Sequence, residues 1–391
     1  MKSIMENNII SMDQNAVENR RLTLENAMVD RWSSVLGESS SVAEHLQQVL
    51  KDNGADIDDF IASDEMQQQL LEAIFPEMVL ALQNNTTSGL FLVLDNGKDM
   101  MQPAKYNGFF LRDSDPTNKI SSNTDILLER GSKRLARQQN IPMDSPWATR
   151  FKLEGFGYRK ADDFFYQPLK AAKENPGVEP RILGYWSPAF ILEDHYLDTH
   201  QMITYSVPLV YQGRVYGVMG VEVSTRYLAT YVPVRDLDQG LNAGYAIAVS
   251  KGDGVYEVVM GTGSLYKSVV GNSSAFRVTG ERKEHLYELE NGVVGEQSVY
   301  ALISPMKLYS NNVPYEGTEW ALVGFVTENS VFAPGNLVYG RILTTILVCS
   351  AVGLLMIILL VRKVTRPVNR LMESVRRGYK GLKEYEPSSV R

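Results

Sequence analysis

The sequence predicts an α+β fold: two tandem modules of antiparallel sheet carried on a long N-terminal helix, then a membrane-spanning helix. Three observations predict it. Residues 2 to about 50 hold no proline and one glycine, Gly37, and Ile10, Val17 and Leu24 recur at a spacing of seven. Twice, a proline-containing strand, a turn and an apolar strand with a central glycine lead into a helix: Ile203–Val223, and then Ser304–Thr327. Ile342 to Val361 carries no charge. The expected divisions are 1–50 for the helix, 51–236 and 237–335 for the modules, 338–362 for the span and 363–391 for a basic tail.

In chain order, the first helix is expected to extend about 50 Å and to bend near Gly37-Glu38-Ser39. A second helix is expected from Asp64 to Asn84, with Ser63 as its N-cap and Pro76 as a kink. Gly89–Leu94 reads as a strand, Asp95-Asn96-Gly97 as a turn and Tyr106–Leu111 as the partner strand. Ile126–Asn140 has a helical pattern. Trp147–Tyr166, mixing aromatic, glycine and charged residues, suits a pocket-forming loop. The hairpin signal at Ile203–Tyr211, Gln212-Gly213 and Val215–Val223 combines alternation with β-branched residues. A short helix is expected from Thr225 to Val234.

The uncharged stretch spans about 30 Å as a helix, the thickness of a bilayer core. Arg341 and the Arg362-Lys363 pair bracket it. The excess of Lys and Arg beyond it places the C-terminus in the cytoplasm and the preceding residues outside. No apolar run follows Lys2, so export of the N-terminal region calls for an earlier membrane helix, and both chain ends read as cut. A net charge of -7 argues against a nucleic-acid partner. The single cysteine, Cys349, excludes an intramolecular disulfide.

Gly184-Tyr-Trp-Ser-Pro188, Ile203-Thr-Tyr-Ser-Val-Pro208 and Val215-Tyr-Gly-Val-Met-Gly-Val-Glu-Val-Ser224 resemble segments of the double Cache sensor domains of bacterial receptors. Thr365-Arg-Pro-Val-Asn-Arg-Leu371 looks like the opening of a HAMP linker. The resemblance implies PAS-like modules, a small-molecule site in the membrane-distal one, a homodimer, contact with membrane lipid, and an output domain of kinase, cyclase or chemoreceptor type outside these residues. On the strands and loops that would face a ligand, the candidate binding residues are Tyr158, Trp186, Tyr205 and Glu222, with Phe110 and Asp113 behind them. Glu222 stands where relatives often carry Asp. In amino-acid-binding members that acid meets the ligand amine. The compact Arg-aromatic pattern of that subclass is absent.

Other chemistry is set aside. His195, Asp198 and His200 have metal-ligand types but sit in a loop, and no metal or cofactor is expected. Ser264-Leu-Tyr-Lys267 and Ser304-Pro-Met-Lys307 match a Ser-x-x-Lys spacing without its partner motifs, so no catalytic residue is assigned. The rival to a receptor is a membrane-anchored binding protein or hydrolase ectodomain. Against it, Pro367, Val368, Leu371, Met372 and Val375 continue an apolar stripe beyond the span, more than an anchor needs.

Overall fold

A computed structural model describes residues 2–33, 36–85, 87–117, 124–192, 200–237, 242–271, 273–283, 285–311 and 313–383. The chain divides into two compact units, Ile10–Ser330 and a second made of Met1–Ile9 with Val331–Arg391.

The first unit begins in helix α1 (Lys2–Asn26), whose Ile10, Val17 and Leu24 are buried as their spacing predicts. A π-turn over Ala27–Trp32 ends α1, and α2 (Leu36–Asn53) contains Gly37-Glu38-Ser39. Trp32 is fully enclosed, edge-on to Trp186 at 6.3 Å and to Tyr231 at 5.3 Å. A π-turn, which interrupts the helical repeat, accommodates such a side chain. Next come α3 (Ile57–Ala62) and α4 (Asp64–Asn84). Ser63 caps α4 as expected, accepting a hydrogen bond from Met66 N at 3.2 Å.

The larger sheet is built from β1 (Gly89–Leu94), β3 (Gly108–Asp113), β4 (Ile126–Arg130), β5 (Met143–Ala148), β7 (Tyr185–Trp186), β8 (Met202–Tyr211) and β9 (Arg214–Ser224), in the order β5-β4-β3-β1-β9-β8-β7. Its pairs are antiparallel except β4 with β5. A side ribbon joins β2 (Ala104–Tyr106) to β6 (Phe151–Leu153). The helices of this module are α5 (Lys133–Gln139), α6 (Asp163–Glu174) and α7 (Thr225–Leu228). Two expectations are corrected here. Ile126–Asn140 is not one helix: its first five residues pair with β3, and Gly131, at φ 130°, separates them from α5. Trp147–Tyr166 is not a pocket loop: it supplies strand ends and the start of α6. Its Phe151, Phe164, Phe165 and Tyr166 fill the core beside Phe91 and Phe110. The hairpin is as read, with positive φ at both Gln212 (48°) and Gly213 (78°), the signature of a type I′ turn.

The smaller module is a closed barrel of β10 (Ala243–Ser250), β11 (Val255–Thr262), β12 (Ala275–Lys283), β13 (Leu286–Val294), β14 (Gln297–Met306) and β15 (Trp320–Thr327), with α8 (Ser264–Val269) packed on it. Its antiparallel ending matches the expected repeat, but pairing of β10 with β15 closes the sheet, whereas the larger one stays open. Closure removes the strand edges.

α9 (Glu328–Leu360) follows β15 directly. In the second unit it carries the uncharged stretch, whose side chains are exposed (Leu354 61%). By length and composition this helix can cross a membrane. A π-turn over Val361–Thr365 leads to α10 (Arg366–Lys383), with Val368, Leu371, Met372 and Val375 exposed.

One buried carboxyl gives the larger module a pH signature. Asp162 is 1% exposed. Burial pushes its carboxyl up to about 6, although Glu154 N donates to it at 2.8 Å and Arg159 lies 3.8 Å away. The native state therefore holds this proton more tightly than the unfolded chain. The contribution is greatest below the unfolded value near 3.8 and is lost as pH rises through about 6. Asp162→Asn, which keeps the acceptor for Glu154 N, is expected to flatten this dependence. In urea unfolding the wild type should lose on the order of 2–3 kcal/mol relative to the variant between about pH 4 and 7. Parallel curves would show that water reaches the carboxyl.

Candidate functional site

Glu222 on β9, Gly89 on β1 and Arg112 on β3 stand in one row across the larger sheet, since Gly89 is registered against both of the others. Residues directly opposite share a face. The missing side chain at Gly89 lets the two long ones converge, because a Cβ there would collide with Glu222 Oε2 and lie 2.8 Å from the Leu111 carbonyl. A β-bulge brings in a second acid. Phe110 pairs with Arg130 and Leu111 with Leu128, which leaves Glu129 as the extra residue.

The result is a buried cluster of charges. Arg112 Nη2 lies 2.5 Å from Glu129 Oε2, Nη1 donates to Asp144 Oδ2 at 3.2 Å, and Nε is 3.8 Å from Glu222 Oε2. Glu129 and Glu222 are wholly buried. His200 Nε2 sits 2.6 Å from Glu222 Oε1, while Oε2 of Glu222 receives no hydrogen bond. Above the cluster opens a cavity of about 360 Å³ lined by Arg112, Asp113, Ser114, Asp144, His200 and Arg226, among others. Burial pushes the Asp113 carboxyl up to about 6, against the hydrogen bond from Asp115 N, and Asp125, Asp115 and Glu222 add repulsion. The carboxyl groups of Asp113, Glu129, Asp144 and Glu222 outnumber the guanidinium groups of Arg112 and Arg226, which makes this a site that favours positive charge.

The six sequence candidates fall in three places. Asp113 lines this cavity, Glu222 lies beneath it, and Phe110 is on the same strand, its ring 5.9 Å from the Arg112 guanidinium and packed in the core on Phe91. Trp186 and Tyr205 pair with each other, rings 5.0 Å apart, on the opposite face of the sheet, because it is Thr204 that stands opposite Glu222. They border a second cavity of about 340 Å³ with Asp30, Arg181 and Tyr309. There Tyr309, from the smaller module, accepts a hydrogen bond from Trp186 N at 2.9 Å. Tyr158 is 71% exposed and borders neither cavity.

Arg112, Glu129 and Asp144 were missed, and His200 was weighed only as a metal ligand. His195 and Asp198 lie outside the described residues. A signal existed: Arg112 and Glu129 interrupt the apolar runs Gly108–Leu111 and Ile126–Leu128. A charge inside such a run is rarely buried unless it is paired.

No family model matches the sequence, and no curated protein matches it. Solved structures similar to the chain are sensor ligand-binding domains. The ligand-binding domain of Mlp24 with asparagine is 14% identical, with a TM-score of 0.40, over 85% of this chain and 99% of that one. The ligand-binding domain of the Pseudomonas fluorescens chemoreceptor CtaA in complex with L-alanine is 13% identical, with a TM-score of 0.37, over 84% and 99%. The extracellular domain of the putative histidine kinase soHK1S-Z6 is 14% identical, with a TM-score of 0.35, over 84% and 99%.

Proposed function

We propose that this chain is the sensing part of a transmembrane receptor of the double Cache type. Its larger module, residues 51–236, takes up a small molecule with a cationic group, and its smaller module, 237–335, hands the change to the membrane helix. The observation that carries this reading is the buried cluster of Arg112, Glu129, Asp144 and Glu222 under an open cavity. Burying charges contributes little net stability, since desolvation offsets their attraction. Their placement at a concave surface of ligand size supports a recognition role. The Asp113 and Asp144 carboxylates at the cavity offer acceptors to a cation, and Glu222, buried beneath, adds negative charge. A ligand shifts the receptor only as far as it prefers one arrangement over the other. After the span, α10 (Arg366–Lys383) would serve as a HAMP-type helix pairing with a second copy. The excess of basic residues there supports a cytoplasmic location, with the sensing modules outside.

The test is a thermal-shift screen of the full chain in lipid nanodiscs against amino acids, amines, organic acids and purines. A stabilising cationic compound is expected, and Glu222→Gln and Asp113→Asn should each remove its effect. A hit that survives both but disappears with Trp186→Ala would move the ligand to the opposite face and sink this assignment.

A further inference from the structure

His200 precedes β8 at the mouth of the cavity, its side chain 28% exposed, and contacts a wholly buried carboxylate. The charged groups around Glu222 come from every side. Arg112 and Asp113 belong to β3, Glu129 to β4, Asp144 to β5 and Arg226 to α7, and Asp115 and Asp125 flank Asp113. Arg112 is shared among three carboxylates and stands no closer than 3.8 Å to Glu222. The closest cation-capable group to Glu222 among the described residues is therefore His200, at 2.6 Å.

Histidine is the side chain whose charge changes across the mildly acidic to neutral range. Resting on the reading of the cavity as a cation site, we infer that His200 is an internal competitor for Glu222. Protonated, it occupies the carboxylate and excludes the cationic group of a ligand; neutral, it releases the carboxylate. Acid therefore weakens ligand binding, and by linkage ligand binding expels a proton. The receptor then reports the ligand only where the surroundings are not acidic.

Butylamine is the probe, a minimal monocation, titrated by thermal shift against the full chain in nanodiscs at about pH 8 and about pH 5.5. Wild type is expected to lose about tenfold more affinity than His200→Gln on going to the lower pH, the loss common to both coming from Asp113, whose carboxyl burial pushes up to about 6. Without ligand, the melting-temperature penalty of His200→Gln should be about 2 °C larger at the lower pH, and this difference should vanish in a Glu222→Gln background. A butylamine response equal at both pH values in wild type, or a pH dependence in His200→Gln as large as in wild type, overturns the inference while leaving the cavity reading intact. No response at either pH overturns both.

Discussion

Replacing Arg112 by Met is expected to lower the stability of the larger module by about 3–5 kcal/mol, the cost of removing one partner from a buried ion pair. Arg112 is 7% exposed, and its guanidinium serves Glu129, Asp144 and, at longer range, Glu222. Met matches its volume and stem, so the loss reports charge rather than packing. The deficit should shrink in acid, where the carboxylates take up protons and no longer require the cation. Arg112→Lys keeps the charge but loses the planar fork that reaches two acids at once, and should fall between. Urea unfolding followed at neutral pH and again in acid measures all three. A loss below about 1 kcal/mol for Met would mean that the cluster is wet, and would remove the physical basis for the ligand site.

Trp32→Ala should cost about as much, roughly 3–5 kcal/mol, for a different reason. The indole is fully buried at the end of the π-turn, among Trp186, Tyr227 and Tyr231. Truncation leaves a cavity that rigid aromatic neighbours cannot fill. Trp32→Phe retains the edge-to-face contacts and should recover more than half of the loss. The same residue ties the N-terminal helices to β7, whose Trp186 N–H is held by Tyr309 of the smaller module. Chemical denaturation should therefore show the two modules separating into distinct transitions in the Ala variant. A single transition with a loss under about 1 kcal/mol would mean that the helix register is set elsewhere.

Much of the architecture was legible one segment at a time. Ser63 caps its helix and Gln212-Gly213 turns its hairpin because those signals are local: a side-chain oxygen three residues from an amide, or two positive φ angles between alternating strands. The uncharged run in α9 declares itself by length alone. The misreadings share a cause as well. Ile126–Asn140 has a helical pattern, yet its first five residues pair with β3, so a distant partner overrode local preference. The π-turn at Ala27–Trp32 ends in Trp32, whose ring contacts include Trp186 and Tyr231, each more than a hundred residues away.

For the site, the amino-acid order alone chose Glu222, Asp113, Trp186 and Tyr205 as residues of consequence. It could not say that Glu222 faces one way and the Trp186–Tyr205 pair the other. That depends on Thr204, not Tyr205, lying across from Glu222. Side chains alternate at every step along a strand, so a register different by one residue would have put the tyrosine and the acid on one face. Pairing between strands distant in the chain sets that register, and with it the convergence of Glu129, Asp144 and Glu222 on the Arg112 guanidinium, with His200 against Glu222.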